Sequence, residues 1–147
     1  MPALRRADAT WSGDLLSGKG AVSAATSGAF KDLPVTWASR TESADGRTSP
    51  EELMAAAHAA CFSMSLSNGL AKGGHPAERL TVSAEVTFDK LEAGWRVTRS
   101  DLTVRGRVPG MSAADFKAAA EAAKVGCPIS NALSDDIEVT VDAKLEG

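Results

Sequence analysis

A chain of 147 residues, 44% hydrophobic and 24% charged, is sized and composed for one globular domain spanning its full length. Nineteen acidic against sixteen basic side chains leave a net charge of −3, which excludes the basic footprint of a nucleic-acid binder or of a partner for an anionic membrane. Met1-Pro2-Ala3-Leu4-Arg5-Arg6 runs into polar residues without an apolar signal core, and no apolar run nears the roughly 20 residues of a membrane span. The expected location is therefore the cytoplasm, where thiols stay reduced and a disulfide is transient and catalytic.

From Ala7 to Thr41 short alternating runs are punctuated by glycine. Thr10-Trp11-Ser12, Ala21-Val22-Ser23 and Pro34-Val35-Thr36-Trp37-Ala38 predict an antiparallel meander, with a turn at Gly18-Lys19-Gly20. Ser49-Pro50-Glu51-Glu52 predicts a helix start: Ser49 as N-cap, Pro50 at the first helical position, Glu52 closing a capping box. The helix runs through Leu53 and Phe62 to about Leu70, and Gly73-Gly74 stops it. Its density of alanine leaves it apolar nearly all round, which predicts burial as the central helix of the core.

Leu80–Phe88 alternates with period two, and Trp95–Thr98 and Leu102–Val108 continue the pattern after a turn at Glu92-Ala93-Gly94. Ser112 is placed to cap a second long helix, with Phe116, Ala119, Ala120 and Ala123 along one face and a stop at Gly126. Cys127-Pro128 opens a short third helix to about Leu133, and Ile137–Ala143 is a last alternating strand. Strands grouped apart from helices predict an α+β fold.

The chain has two cysteines. Cys61 falls inside the alanine-rich helix, where a thiol is either inert packing, its pKa raised by desolvation, or a nucleophile activated by a neighbouring positive group. His58, one helical turn earlier, lies on the same face; a histidine there is a satisfied core residue or a contact for the sulfur. Cys127 precedes Pro128 at a helix start, where it is either a small capping residue or a thiol acidified by the end of the helix. Cys61, Cys127, His58 and His75 show no paired ligand spacing, so no metal is expected. No G-x-S-x-G, Walker A or G-x-G-x-x-G pattern anchors a hydrolase, nucleotide or dinucleotide reading. Arg40, before the polar loop Thr41–Arg47, reads alone as a solvated arginine. Glu51 suits a helix start in any case. It stands nearly three turns, about 15 Å along the axis, from Cys61, so linking the two needs an intervening arginine.

The block Thr48-Ser49-Pro50-Glu51-Glu52-Leu53-Met54-Ala55-Ala56-Ala57-His58-Ala59-Ala60-Cys61-Phe62-Ser63-Met64 closely resembles the osmotically inducible protein C (OsmC) family. So does Ala123-Lys124-Val125-Gly126-Cys127-Pro128-Ile129-Ser130, and Ala9–Asp14 with Gly18-Lys19-Gly20 looks like the OsmC branch rather than the organic hydroperoxide resistance (Ohr) branch. The resemblance runs the length of the chain. Ser49 stands where related sequences often have Asn, and both cap helices; Val125 stands where Ala is common.

The resemblance implies an OsmC-like fold, antiparallel sheets packed around two central helices, in an intertwined homodimer with two active sites drawing residues from both chains. It implies a thiol-dependent peroxidase that reduces organic hydroperoxides, and hydrogen peroxide less efficiently, in oxidative or osmotic stress. Cys61 matches the peroxidatic cysteine, Cys127 the resolving one, Arg40 the active-site arginine and Glu51 the glutamate that orients it. No cofactor is implied; an external dithiol, in this family a lipoyl-bearing protein, is the expected reductant. Two other classes stay open: a general thiol–disulfide oxidoreductase, and a stress-related protein holding an apolar ligand with its cysteines merely buried.

Overall fold

Short alternating segments form an antiparallel meander at the start of the computed structural model, which describes residues Met1–Gly147. The strands are β1 (Ala7–Ser12), β2 (Lys19–Ala24) and β3 (Leu33–Val35), in the order β1-β2-β3. They belong to an N-terminal unit, Met1–Pro50, separate from a second unit, Glu51–Gly147.

Two details of the N-terminal unit differ from expectation. Lys19 and Gly20 are not turn residues but open β2, with Gly20 paired opposite Trp11. A Cβ at Gly20 would stand 2.7 Å from Cε3 of Trp11 and 2.5 Å from the Thr10 carbonyl oxygen, so glycine is the residue that lets the indole lie on the strand. The strand expected to reach Ala38 ends at Val35, and α1 (Trp37–Thr41) follows. Thr36 is the reason. Its Oγ1 accepts from the Ser39 amide at 3.0 Å while Ser39 Oγ accepts from the Thr36 amide at 3.0 Å. This capping box overrides the period-two pattern. The Ser39 hydroxyl also donates to the Thr48 carbonyl at 2.8 Å, tying the intervening loop back to α1.

The second unit carries α2 (Pro50–Lys72), which starts at the last residue of the first, then β4 (Arg79–Leu91), β5 (Gly94–Arg107), α3 (Ala113–Gly126), α4 (Pro128–Ala132) and β6 (Glu138–Leu145). The stop of α2 is a Schellman motif: the His75 amide donates to Leu70 and the Gly74 amide to Ala71, with Gly74 at φ +84. Ser112 Oγ caps α3, accepting from the Asp115 amide at 3.1 Å. β4 and β5 form an antiparallel hairpin with an irregularity at Thr87/Phe88. β6, however, pairs parallel to β5, so this sheet is mixed rather than antiparallel throughout. The chain reaches β6 through α3 and α4, and a crossover of that length delivers the strand in the parallel sense.

The core of the unit joins α2, β5 and α3. Phe62, Leu66 and Leu70 form a stripe at four-residue spacing on α2. Leu102 and Val104 face inward from β5, Phe116, Ala120 and Ala123 from α3, and Ala143 from β6. Each large side chain buried there contributes about 1.5–3 kcal/mol of transfer free energy. The expectation of a helix buried all round does not hold in this chain: Ala56, Ala57 and Ala60 are exposed and Met64 is 70% exposed. One sheet and α3 cover one face only. No helix is long and apolar enough to cross a membrane.

Candidate active site

The two cysteines meet in the second unit. Cys61, on α2, is half-buried; Cys127, the residue that caps α4, is fully buried; both are free thiols. Their side chains hydrogen-bond to each other. Pro128 at the first helical position turns the chain so that the amides of the first turn of α4 point at the sulfurs. The Ile129 amide donates to both, and the Ser130 amide and hydroxyl donate to Cys127.

These contacts divide the acidity of the pair unequally. Burial pushes the Cys127 thiol up, but the Ser130 amide, the Cys61 thiol, the Ser130 hydroxyl and the Ile129 amide outweigh it and hold the pKa below its ordinary value. Burial raises Cys61, and donating to Cys127 and standing beside its negative charge raise it further, against a single amide from Ile129. The acid sulfur of the second unit is therefore Cys127. It is also the sulfur that solvent cannot touch.

His58 is a satisfied core residue. It is fully buried, with Nδ1 2.6 Å from Ser100 Oγ and Nε2 2.8 Å from Ser130 Oγ. Burial depresses its pKa, which favours the neutral imidazole. It reaches the thiol pair through Ser130 rather than directly. Neither serine was a candidate from the sequence. Ser130, three residues after Cys127 and at a helix start, carries a spacing that points back to the cap; Ser100 carries no such signal.

Glu51 is buried in the first turn of α2. Arg40 belongs to the N-terminal unit, in the last turn of α1, its guanidinium carbon 5.5 Å from the centre of the Trp37 ring. With Trp11, Leu15, Val35, Trp37 and Pro50 it lines a cavity of about 320 Å³. The arginine read from the sequence as solvated thus stands in an apolar setting. No group of three or more His, Cys, Asp and Glu side chains converges as metal ligands would.

An α+β chain whose two cysteines meet as free thiols at a helix start is, by fold and site, a dithiol redox protein. The chain belongs to the OsmC-like protein family, whose model matches residues 43–142. It is 40% identical to Peroxiredoxin OsmC of Escherichia coli over 142 residues, 97% of this chain and 96% of that protein. It is 31% identical to the organic hydroperoxide resistance protein OhrA of Bacillus subtilis over 117 residues, 76% of this chain and 77% of that one. Among solved structures, an organic hydroperoxide resistance protein from Elizabethkingia anophelis superposes with a TM-score of 0.75 at 25% identity, covering 99% of this chain and 100% of that one.

Proposed function

We propose that this chain is a thiol peroxidase that reduces organic hydroperoxides to alcohols, and hydrogen peroxide less efficiently to water, as part of oxidative and osmotic stress defence in the cytoplasm. The observation that carries the reading is the contact between a half-buried Cys61 and a fully buried Cys127. The relatives named for peroxiredoxin and hydroperoxide-resistance activity support it. A peroxide entering from solvent reaches the more accessible sulfur first, so Cys61 is the peroxidatic residue in this reading. Its thiolate displaces alkoxide from the O–O bond and becomes a sulfenic acid. Cys127 then attacks that sulfur, giving the Cys61–Cys127 disulfide and water, and an external dithiol, a lipoyl protein in this reading, reduces it through a mixed disulfide.

Cys61 needs a cation to ionise, because its own unit raises its pKa. Arg40 supplies it: a guanidinium is charged at any working pH and its fork donates to peroxide oxygens as negative charge develops. Glu51 orients that guanidinium, which is preorganisation. The apolar residues around Arg40 favour an alkyl hydroperoxide over a fully hydrated one. No bound cofactor takes part. The two units act together as one domain within an intertwined homodimer, a state supported by the exposed face of α2 at Ala56, Ala57, Ala60 and Met64 and by a β1 exposed along its length.

The test is a thiol titration with intact mass before and after one equivalent of cumene hydroperoxide, on wild type and Cys127→Ser. Loss of both thiols in wild type, with a sulfenic or further oxidised Cys61 in the variant, is the expected result. Unchanged thiols in both would leave the buried-cysteine binding protein as the better reading.

A further inference from the structure

We propose that His58 is a positioning residue for disulfide closure, directing the Ser130 hydroxyl toward the Cys127 sulfur so that Cys127 is presented as the nucleophile. The inference rests on the peroxidase reading for the identity of the oxidised partner, Cys61.

The geometry is a hydrogen-bonded chain, Ser100–His58–Ser130, drawn from β5, α2 and the first turn of α4, and it ends three residues from the N-cap Cys127, whose pKa the Ser130 hydroxyl helps to lower. Both contacts of the imidazole are short, and His58 and Ser100 are fully buried. A thiolate only accepts hydrogen bonds, so with Cys127 ionised the Ser130 hydroxyl must donate to it. Ser130 Oγ then accepts from Nε2–H of His58, and the bare Nδ1 accepts from the Ser100 hydroxyl. Every donor in the chain points toward the sulfur, and each bond polarises the next. A neutral imidazole is required, and burial, which disfavours the cation, acts in that direction.

Few other ionisable groups act on this chain. From α2, Cys61 acts on Cys127 directly and His58 contacts Ser130, while Glu51 and Glu52 lie in the first turn of the helix and Lys72 in the last. On β5 the neighbours of Ser100 are Arg99 and Asp101, which alternation sends to the opposite face, where they pair with each other. On α3 Lys124 is paired with Glu121. The hydroxyl of Ser130 is thus the polar side-chain contact, apart from Cys61 itself, that sets the charge on Cys127.

In closure the Cys127 thiolate attacks the sulfur of Cys61 sulfenic acid. The S–S bond forms, the S–OH bond breaks, and hydroxide leaves and takes up a proton as water. The sulfenic sulfur is reduced and the Cys127 sulfur oxidised, so electrons balance without a further reagent. The Ser130 proton stays on oxygen throughout; it stabilises the attacking anion and is released when the sulfur becomes neutral.

The experiment reads Cys127 alone. In reduced Cys61→Ser protein one thiol remains, and its ultraviolet thiolate absorbance against pH gives its ionisation midpoint. Adding Ser130→Ala is expected to raise the midpoint by about one unit, the size of a hydrogen bond to a charged group. His58→Leu raises it by a smaller resolved amount, and His58→Gln, which keeps an N–H toward Ser130, restores it. With both cysteines present, quenched-flow mass analysis after cumene hydroperoxide shows closure slowed about tenfold in Ser130→Ala at pH below the midpoint. Oxidation of Cys61, read in a Cys127→Ser background, keeps its rate. Should His58→Leu fail to fold, Ser130→Ala at its half-buried position still carries the test. An unmoved midpoint in folded Ser130→Ala protein, or equal slowing of both steps, overturns the proposal. Wild-type thiols inert to peroxide would sink the peroxidase reading instead, and the midpoint would then decide the role of His58 by itself.

Discussion

Cys61 and Cys127 meet side chain to side chain, and the contact acts on the two thiols in opposite senses, lowering the pKa of Cys127 and raising that of Cys61. The buried sulfur, held against its own burial by the first turn of α4, is the more acidic of the two, and the accessible sulfur the less acidic. In the proposed cycle this favours the second step: Cys127, its pKa already lowered, is the sulfur that attacks oxidised Cys61. In the same proposed cycle the first step draws on a cation, the role proposed for Arg40.

Replacement of Arg40 therefore separates the two steps. Arg40→Ala is expected to slow oxidation of Cys61 by cumene hydroperoxide about a hundredfold, the usual loss on removing one donor to a developing oxyanion. Arg40→Lys recovers little of it, because a point charge lacks the bidentate fork. Exchange of the preformed disulfide with dithiothreitol stays within about threefold of wild type, since a thiol–disulfide exchange needs only the attacking thiolate. Stopped-flow rates for both half-reactions check this, and equal losses in the two would remove Arg40 from the peroxide step.

The buried imidazole of His58 makes stability depend on pH in mild acid. Its folded pKa lies below the ordinary 6.5 because burial disfavours the cation. As pH falls through 6.5 the unfolded chain takes up a proton that the folded one refuses, so stability is full above that value and declines until the folded pKa is reached. His58→Gln has no proton to gain and should show a flatter melting temperature over the same window. Calorimetric scans of both proteins from neutral pH downward are the check, and parallel curves would contradict it.

What could be read from the sequence was local. The caps of α3 at Ser112 and the glycine stop of α2 at Gly74 satisfy backbone groups within a few residues, so their signals survive any tertiary context. The capping box at Thr36 was equally local but lay hidden in a run that also alternates. The parallel placement of β6 was not legible, because strand sense depends on how α3 and α4 carry the chain. Each cysteine block had a recognisable context, yet the contact between Cys61 and Cys127 belongs to the packing of α4 against α2. Ser100 is the clearest miss: its role is set by partners on α2 and α4, and no short-range pattern marks it.

Gly106 is a second position that only packing explains. It lies on β5 facing Phe116 of α3, and an added Cβ would stand 2.5 Å from Cζ of that ring. Phe116 is fully buried and has nowhere to retreat. Gly106→Ala is expected to destabilise the protein by about 1–3 kcal/mol through overpacking. The double variant Gly106→Ala/Phe116→Leu should lose less than the sum of the two single changes, because the smaller side chain relieves the clash. Urea denaturation of the four proteins measures the coupling, and strict additivity would mean that the strand itself, not the ring, resists the methyl group.

Asp101 gives the sheet its own acid sensitivity, on the face opposite Ser100. Arg99 donates to both of its oxygens, at 2.9 and 3.2 Å, and the Thr140 hydroxyl of β6 donates at 2.6 Å. The Arg99 and Thr140 hydrogen bonds hold its carboxyl below the ordinary 3.8, with burial opposing them. The sign follows from a depressed acid: its contribution is complete above 3.8 and is lost as pH falls through the folded value. Asp101→Asn should therefore melt lower than wild type at neutral pH, and the gap should close in strong acid. Screening at this partly exposed pair keeps the difference modest, and added salt should shrink it further. A gap that persists unchanged below pH 3.8 would assign the loss to the shape of the β5–β6 contact rather than to charge.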